Sequence, residues 1–314
     1  MALPSDSKSK IIIAGGTGYL GQLIAKSLWE DNWEVVLLSR SSNTDRKIGR
    51  SVYWDGKSIG KWSLELEGAQ VLLNLTGKSI DCRHNAANRE EILNSRVHST
   101  RVLGEAVSIA QSPPPCWLNA SSMALYGQLW GNVSAHTEES TLQSGGFLED
   151  VTVAWEKEFI KWKREGVRQV ALRISFVLGR ASGAFPLLKI LSKYGLGGTQ
   201  GSGNQWVSWL HEKDWIGITR FLIKNENVNG AVNLASPYPL KNKEFMKAFR
   251  AKFAPLGVGF PAPSFGVKLG CFLLGSAPDL ALQSRKVVSH KLKDSSYEFY
   301  FPDLASAISD LGGD

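Results

Sequence analysis

Cysteine and histidine are scarce in this chain of 314 residues, which contains three cysteines and five histidines. Cys82, Cys116 and Cys271 are far apart and odd in number, which excludes a dense disulfide framework and indicates free thiols. We therefore expect a reducing, cytoplasmic location. The histidines are scattered too, so no zinc-ligand spacing is present and no metal site is predicted.

Long apolar runs and blocks of like charge are also lacking. The stretch 265–282 is rich in apolar residues, but Lys268 and Asp279 interrupt it, and we interpret it as a buried helix rather than a membrane span. Lysine and arginine are dispersed despite a net charge of +7, which excludes arginine-rich nucleic-acid tracts. The expected partner is an anionic small molecule, with no specific nucleic acid and no membrane. The expected assembly is a monomer or a homodimer.

A glycine-rich turn is present in the stretch IIIAGGTGYLG at 11–21. Gly16, Gly18 and Gly21 satisfy G-x-G-x-x-G, and Gly15, Gly18 and Gly21 satisfy G-x-x-G-x-x-G. A strand-like run precedes the turn and a helical pattern follows it, which is the context in which such glycines bind a dinucleotide. Glycines let the backbone approach a pyrophosphate, and the helix N-terminus offers it free N–H groups and a positive dipole end. The turn therefore predicts a dinucleotide site, the alternative being a purely structural turn.

Strand-like and helical patterns alternate over most of the chain. Continuous apolar runs, typical of buried strands, lie at 11–14, 33–38, 71–75, 116–120, 170–178 and 231–235. This alternation predicts an α/β fold with a doubly wound parallel Rossmann sheet, covered by helices on both faces. We assign residues 1–180 and 205–236 to a dinucleotide-binding Rossmann domain. Residues 181–204 and 237–314 are assigned to a smaller C-terminal substrate lobe over the carboxyl ends of the strands.

The end of the second predicted strand reads LSRSS at 38–42 and carries no carboxylate. An acidic residue there would bond the adenosine ribose of NAD, whereas an arginine accommodates the 2′-phosphate of NADP. Arg40 offers bidentate, charge-assisted bonds, and Ser39 is one of the serines that add hydroxyl donors. We therefore predict NADP rather than NAD as the cofactor. The alternative interpretation of Arg40 is an exposed charge at a strand end.

Several segments together resemble a known superfamily. Those similar to the extended short-chain dehydrogenase/reductases are GGTGYLG at 15–21, NLTG at 74–77, SSMALYG at 121–127 and LRISFVLG at 172–179. Others resemble, more specifically, the NAD-dependent epimerase/dehydratase "epimerase family" with a C-terminal domain of unknown function (DUF1731). These are YWDG at 53–56, EEILNSRVHST at 90–100, GLGGTQGSGNQWVSWLHEKDW at 195–215, SRKVVSHKL at 284–292 and FYFPDL at 299–304. The resemblance extends from about residue 10 to the end of the chain.

The resemblance implies roles for the matching positions. The cofactor-binding residues that it implies are Gly15, Thr17, Gly18, Tyr19, Leu20 and Gly21 at the pyrophosphate, Asn74, Leu75, Thr76 and Gly77 along the adenosine and central region, Ser121, and Phe176 and Val177 near the nicotinamide. Ser122 falls at the position of the superfamily's catalytic serine, four residues before Tyr126. His211 and Asp214 lie in a segment that closes over the site, with an N-cap as the alternative role for Asp214.

The catalytic Tyr-x-x-x-Lys pair of the superfamily is missing from the helix expected at 147–161, which contains no tyrosine. In that pair the tyrosine is the general acid/base and the lysine lowers its pKa. The pattern occurs once, from Tyr53 to Lys57, where we interpret it as coincidental. Tyr126 is the substitute proton donor we propose, beside Ser122. Without a nearby cation its pKa should stay near ~10, and its alternative role is structural.

An anionic substrate would need cations and polar groups in the same cleft. The substrate-binding candidates are Arg83, Arg173, Trp206 and His211, with packing as the alternative for Trp206. Arg96 either contributes to the same cleft or pairs with a glutamate on its own helix. We therefore predict an NADP-dependent oxidoreductase or a nucleoside-diphosphate-sugar epimerase-like enzyme acting on a polar, anionic substrate. The alternative is a non-catalytic sensor or regulatory protein that carries NADP(H).

Overall fold

The computed structural model of the protein describes residues 8–41 and 48–313. Its strands are β1 (Lys10–Ala14), β2 (Glu34–Ser39), β3 (Arg50–Tyr53), β4 (Val71–Asn74), β5 (Cys116–Ser122), β6 (Arg168–Ile174), β7 (Phe176–Leu178), β8 (Trp206–Val207), β9 (Trp209–His211), β10 (Gly230–Leu234) and β11 (Leu240–Lys241). Its α-helices are α1 (Tyr19–Glu30), α2 (Ala86–Ile109), α3 (Phe147–Lys161), α4 (Phe185–Lys193), α5 (Glu212–Lys224), α6 (Asn242–Phe253), α7 (Ser264–Leu274), α8 (Asp279–Leu282), α9 (His290–Asp294) and α10 (Leu304–Gly312). Two 3-10 helices cover Lys61–Leu66 and Met123–Tyr126.

Seven parallel strands form the central sheet, in the order β10-β6-β5-β4-β1-β2-β3. The strands β1, β2 and β4 are buried along most of their length, as expected for parallel strands with both faces covered. The strand order reverses between β1 and β4, so their carboxyl ends flank the crevice where ligands bind in doubly wound sheets. The predicted α/β fold with a doubly wound parallel Rossmann sheet is confirmed.

Helices cover the sheet on both faces, and each face has its own apolar core. On one face Ile24 of α1 and Trp215 of α5 pack against the strands. On the other face Leu103 of α2 and Phe159 of α3 do so. The alternate apolar side chains of each strand are divided between these two cores, which fixes the register of the sheet.

The single strand predicted at 170–178 is wrong, because the chain breaks at Ser175 into β6 and β7. The N–H and the hydroxyl of Ser175 both donate to the carbonyl of Leu234, at 3.1 and 2.7 Å. This polar residue closes the end of the β6–β10 pair and redirects the chain. β7 then pairs with β9 in a separate two-stranded sheet, and β8 pairs with β11 in another.

A third apolar core lies between α4, α6 and α10. Phe185 and Phe249 are almost fully buried there, with ring centroids 5.6 Å apart, and Ile308 of α10 joins them. The C-terminal chain also returns to the main sheet, because Leu292 of α9 and Tyr297 pack against the core formed by α1 and α5. The division at residues 180, 204 and 236 stays a prediction.

The buried helix predicted at 265–282 is wrong. The helix α7 ends at Leu274 because Gly275 adopts a left-handed conformation (φ +72°), and α8 is a separate turn. Only Val267 of α7 is buried, whereas Phe265 is 75% exposed. Among the helices of residues 8–41 and 48–313, none is long and apolar enough to cross a membrane.

Candidate functional site at the carboxyl edge of the sheet

The glycine turn joins β1 to α1 at the crevice between β1 and β4. Gly15 has φ +74°, and a Cβ atom there would lie 2.8 Å from the carbonyl carbon of Leu75. A Cβ at Gly21 would lie 2.6 Å from the Cα of Gly16. Gly18 is the N-cap of α1 and has only a 3.4 Å contact with the carbonyl of Gly15. Close backbone packing therefore requires Gly15 and Gly21, and the space beside Gly18 is left open for a ligand.

The first turn of α1 has backbone N–H groups without a side-chain cap. Thr17 and Gly18 are exposed, and Tyr19 and Leu20 are half-buried. The N–H of Gly18 donates to the carbonyl of Gly15 at 3.0 Å, and N–H groups of a first helical turn that have no intrahelical partner form an anion site. The residues predicted to bind the pyrophosphate are therefore brought together in a cradle that fits it.

The hydroxyl of Tyr19 is not part of that anion site. It is hydrogen-bonded to the carboxylate of Glu212 at the start of α5, which also accepts the N–H of Arg180 at 2.8 Å. Burial, and then the bond to Glu212, raise the pKa of Tyr19 to about 12. This contact fixes the glycine turn against the segment that follows β7, a long-range role that no sequence pattern indicated.

The predicted NLTG segment lines the other side of the crevice, but Asn74 does not offer its amide to a ligand. Its Nδ2 donates to Oδ1 of Asn119 at 2.7 Å, and its Oδ1 accepts the N–H of Thr76 at 3.0 Å. Asn74 therefore shapes the loop, and the prediction of ligand contacts by its amide is corrected. Thr76 Oγ1 is buried, and among the residues that the structure describes no hydrogen-bond partner reaches it. That hydroxyl, next to Leu75 and across from Gly15, is a donor that suits a cofactor.

Arg96 supports this loop from below. Its Nη1 donates to the carbonyls of Lys78 and Ile92, at 3.0 and 2.9 Å, and a Cβ at Gly77 would lie 3.0 Å from its Cζ. Burial lowers its pKa to about 10. Arg96 therefore takes neither of the roles considered for it, since it holds the backbone rather than a substrate or a glutamate.

The end of β2 carries the predicted specificity residues. Ser39 is buried and its Oγ accepts the N–H of Ser41 at 3.2 Å, whereas Arg40 is exposed. Ser39 pairs in register with Tyr53, the last residue of β3. The loops after β2 and β3 therefore leave the sheet side by side. Ser42 of the LSRSS segment lies outside the described residues.

Basic residues also follow the strands β3 and β4, namely Lys57 and Lys78. Lys78 forms an ion pair with Glu91 of α2. The bond to Lys78 lowers the pKa of the Glu91 carboxyl, and the charges of Lys78, Arg40 and Lys57 add to the effect. Arg40, Lys57 and Lys78 thus belong to three loops that follow β2, β3 and β4 at the carboxyl edge of the sheet. Lys57 belongs to the Tyr-x-x-x-Lys pattern considered coincidental, and it lies here rather than beside the predicted catalytic serine.

Ser122 and Tyr126 come from the end of β5 and the 3-10 helix that follows it. Ser122 is half-buried, and its Oγ accepts the N–H of Ala124 at 3.2 Å, which leaves its hydroxyl proton available. Tyr126 is fully buried: its hydroxyl donates to Oδ1 of Asn233 at 2.8 Å and accepts from Arg173 at 2.6 Å. The prediction of Tyr126 as a proton donor to substrate is therefore corrected, since its hydroxyl faces protein on every side.

Arg173, predicted to bind substrate, is also buried beneath this edge, with 6% of its surface exposed. It forms a two-bond ion pair with Glu156 of α3, both bonds being 2.9 Å long. Ser121 donates to the same carboxylate at 2.5 Å. A cation does lie beside Tyr126, contrary to expectation. Burial nevertheless raises the pKa of Tyr126, with Arg173 acting in the opposite direction.

No role was predicted for Glu156, which lies on the helix 147–161. A signal was present, because Trp155 and Phe159 place position 156 at the border of the buried face of α3. A carboxylate at such a position needs a charged or hydrogen-bonding partner. Nothing in the sequence identifies that partner as Arg173.

His211, another of the four substrate candidates, is a structural residue. It is fully buried, and its Nδ1 accepts the N–H of Lys213, which makes it the N-cap of α5. Its ring stacks on Phe301 at 4.0 Å, and burial lowers its pKa to about 4. Its prediction as a substrate ligand is corrected. Asp214 is not the N-cap, because its carboxylate accepts the N–H groups of Tyr300 and Phe301, at 2.7 and 3.0 Å.

A charged cluster beside His211 attaches the C-terminal helix to this region. Asp310 of α10 bonds Lys213 at 2.5 Å, lies 3.4 Å from Nε2 of His211, and forms an ion pair with Arg180 at 3.5 Å. Arg180 also donates to the carbonyl of Asp310 at 2.6 Å. The segment after β7, which contacts Tyr19, is therefore fixed by a residue near the end of the chain.

The remaining predicted residues are half-buried or exposed. Phe176 and Val177 lie on β7, with Phe176 packed edge-on against Phe245. Trp206 donates its indole N–H to the carbonyl of Gly131 at 2.9 Å, and the ammonium of Lys286 lies 4.2 Å from its ring, so packing accounts for it.

Arg83 differs from the other substrate candidates because it is exposed. It lies between β4 and α2, and its guanidinium is 4.7 Å from the ring of Phe272 on α7. Of the four candidates it is the cation that a ligand can reach. In the described part of the chain, no three metal-ligating side chains are grouped so that they could hold an ion.

Two family models match this chain. The NAD dependent epimerase/dehydratase family matches residues 11–235, and the domain of unknown function DUF1731 matches residues 262–311. The epimerase family protein YfhF of Bacillus subtilis is 31% identical over 306 residues, covering 97% of this chain and 98% of YfhF.

Two solved structures are similar over nearly the whole chain. The human epimerase family protein SDR39U1 (isoform 2), solved with NADPH, is 27% identical with a TM-score of 0.85, covering 97% of this chain and 99% of that one. The nucleoside-diphosphate sugar epimerase from Corynebacterium glutamicum is 27% identical with a TM-score of 0.77, covering 96% of this chain and 58% of that one.

Proposed function

Because this chain belongs to the NAD dependent epimerase/dehydratase family, we propose that it is an NADP(H)-dependent oxidoreductase or epimerase-like enzyme for an anionic small molecule. The observation that carries the proposal is the glycine turn at the crevice between β1 and β4, with its uncapped helix N-terminus, together with the exposed Arg40 after β2. A carboxylate at the end of β2, which NAD would need, is absent from residues 38–42. The human relative solved with NADPH supports the same preference.

The cofactor fits the residues present. The N–H groups at the start of α1 would hold its pyrophosphate, Thr76 Oγ1 would donate to its central part, and Arg40 would bind its 2′-phosphate. Bound NADP(H) supplies a hydride donor or acceptor, chemistry that no amino-acid side chain provides. The protein's own part is to hold the cofactor and orient the substrate against it.

Ser122 is the residue that we propose to contact the substrate. Its hydroxyl proton is available at the carboxyl edge, so it can donate to a substrate oxygen. Glu156, Arg173 and Ser121 act beneath it as positioning residues, because they fix the end of β5 against α3 and β6. Arg83 supplies positive charge for the anionic group. The three free cysteines suit a reducing compartment, and we propose a cytoplasmic location.

The cofactor preference is tested by measuring dissociation constants for NADPH and NADH by calorimetry. We expect NADPH to bind more tightly. Arg40→Ala should weaken NADPH binding about tenfold, the loss of one charge-assisted contact, and leave NADH binding unchanged. Arg101→Ala is the matched control, since Arg101 is an exposed arginine on α2. Tighter NADH binding by the wild type, or equal losses for both nucleotides, would contradict the proposal.

A second candidate function is a sensor that carries NADP(H) without turning it over. The burial of Tyr126 favours it, because that tyrosine cannot reach a substrate and helix α3 offers no tyrosine in its place. Incubation of the protein with NADPH and a panel of carbonyl compounds and sugar nucleotides separates the two candidates. NADPH consumption that is lost in Ser122→Ala supports the enzyme, whereas tight binding without consumption supports the sensor.

A further inference from the structure

Helix α7 presents an apolar face to solvent, and we call Phe265, Leu269, Phe272 and Leu273 the α7 stripe. The four side chains recur at i, i+4, i+7 and i+8, so they share one face of the helix. Between 58% and 75% of each is exposed. A contiguous apolar face of this kind is unfavourable in water and marks a site that another molecule covers.

The C-terminal end of the α7 stripe borders the carboxyl edge of the sheet. Arg83 donates to the carbonyl of Phe272 at 3.1 Å, in addition to lying over its ring. Asp81 accepts a hydrogen bond from Ser276, just beyond the helix. Asp81 and Arg83 belong to the segment that leaves β4 directly after Gly77. The stripe is therefore adjacent to the crevice in which the cofactor and substrate are proposed to bind.

The other end of α7 is attached to the segment that precedes β8. The N–H of Gly201 donates to the carbonyl of Ala262 at 2.8 Å, and the N–H of Ala262 donates to Thr199 at 2.9 Å. α7 thus extends from the chain before β8 to the chain after β4.

Two basic side chains accompany the α7 stripe. Lys268 of α7 is exposed, and Arg83 lies over Phe272 near the C-terminal end of the helix. Their positive charge attracts an anion. The ligand that fits is one with both an anionic group and an apolar part.

We infer that the substrate is an amphiphilic anion, whose charged head lies near Arg83 and Ser122 and whose hydrocarbon chain covers the α7 stripe. This inference rests on the proposed function and specifies its substrate class. A phosphate or carboxylate head would meet the exposed guanidinium of Arg83. An alkyl, acyl or isoprenoid chain would remove Leu269, Phe272 and Leu273 from water, which is the source of the binding free energy.

The inference is tested with hexyl, octyl, decyl and dodecyl phosphate as probes, below their micelle-forming concentrations. Calorimetry measures their binding to the full-length protein saturated with NADPH. Each added methylene group should tighten binding by about two- to fourfold until the stripe is covered. NADPH binding is measured first and separately, so a failure of the proposed function is distinguishable from a failure of this inference.

Two variants locate the two ends of the ligand. Leu273→Gln keeps helix propensity but interrupts the stripe, and should weaken dodecyl phosphate about tenfold while changing hexyl phosphate little. Arg83→Gln should weaken all four probes by the same factor of up to about five. Ile109→Gln is the matched control, because Ile109 is 66% exposed at the far end of α2, and its affinities should equal those of the wild type.

Three outcomes would overturn the inference. The first is an affinity that does not depend on chain length, and the second is the same chain-length dependence in Leu273→Gln as in the wild type. The third is a stripe that is covered by a second copy of this chain or by a membrane surface. Sedimentation would reveal this as a dimer that Leu273→Gln dissociates, and flotation would reveal it as binding to anionic vesicles without binding to the monomeric probes.

Discussion

The glycine turn and the region beneath Ser122 position polar groups by different means. In the turn, backbone N–H groups do the positioning, and Gly15 and Gly21 make it possible by leaving room for close packing. Beneath Ser122, side-chain charges do it, because Glu156 and Arg173 form a buried ion pair that also engages a serine and a tyrosine. The first arrangement is built within eleven residues of sequence, and the second combines three separate segments, at 121–126, 156 and 173.

This difference determines how each region should respond to substitution. A backbone cradle contains no charge to leave unpaired, so damage to it is steric and local. A buried ion pair is costly to break, because the remaining charge stays desolvated without its partner. A third case is the cluster around His211, where a buried neutral imidazole caps a helix. Variants in these three places should therefore differ in how much stability they lose and in whether the loss depends on pH or is accompanied by weaker NADPH binding.

The largest effect is expected from Glu156→Gln, which leaves the guanidinium of Arg173 buried and without a carboxylate. We expect the free energy of unfolding to fall by about 3–5 kcal/mol, measured by urea denaturation. The control is Glu30→Gln, which removes an exposed pair with Lys26 (3.8 Å) and should cost less than about 0.5 kcal/mol. Replacing both partners, as Glu156→Leu with Arg173→Met, should restore most of the loss. Equal losses of unfolding free energy for Glu156→Gln and Glu30→Gln would show that the buried ion pair is no more costly to break than an exposed one.

The next effect is a pH dependence that arises from His211. Its folded-state pKa is about 4, below the unfolded value near 6.5, so the unfolded chain takes up a proton first as the pH falls. Stability is thus retained above the unfolded pKa and is lost between about pH 6.5 and 4. From pH 7 to pH 5 the wild type should lose about 2 kcal/mol from this group.

The matched variant is His211→Asn, which keeps an N-cap acceptor but cannot take up a proton. Urea denaturation of both proteins at pH 7, 6 and 5 isolates the contribution of the imidazole as a difference between the two curves. The two proteins should therefore differ in the pH dependence of their stability. Parallel curves would show that the imidazole does not remain neutral in the folded protein.

The smallest effect on stability is expected in the glycine turn. Gly21→Ala places a Cβ 2.6 Å from the Cα of Gly16, so it should cost about 1–2 kcal/mol after the gain in helix propensity is subtracted. Gly18→Ala meets only a 3.4 Å contact and should change stability by less than about 0.5 kcal/mol. It should nevertheless weaken NADPH binding about tenfold, because its methyl group enters the space left for the pyrophosphate. Urea denaturation should therefore show the loss of stability in Gly21→Ala, and calorimetry should show the loss of NADPH affinity in Gly18→Ala. A Gly18→Ala protein with wild-type affinity for NADPH would contradict this.

The sequence was sufficient for six of the seven strands of the sheet and for the glycine turn, because both depend on short-range patterns. The short strand β3 (Arg50–Tyr53) was not predicted, since none of its four residues is buried. Runs such as KIIIA and VLLN are buried strands in any parallel sheet, and the glycines follow one of them directly. The break at Ser175 escaped prediction, because its cause is the carbonyl of Leu234, nearly 60 residues away. The serine itself gives no local sign of that contact, because a single polar residue is common within a strand.

The region beneath Ser122 was not predictable for the same reason. Arg173 and Tyr126 were interpreted as substrate-facing because each adjoins a recognisable segment, yet both point into the interior. Side-chain direction at these positions depends on partners from β10 and α3, namely Asn233 and Glu156. The α7 stripe illustrates the opposite case, since apolar composition predicted burial where the fold leaves a face uncovered.

The ion pairs of Asp310 have a consequence for the order in which this protein is completed during synthesis. All seven strands of the central sheet have been translated by residue 234, so the sheet can form while the rest of the chain is still being made. The segment at Arg180, which contacts Tyr19 of the glycine turn, is held by Asp310 of α10. The nascent chain therefore has its nucleotide fold early, but it completes the rim of the binding site only after the segment that carries Asp310 has left the ribosome.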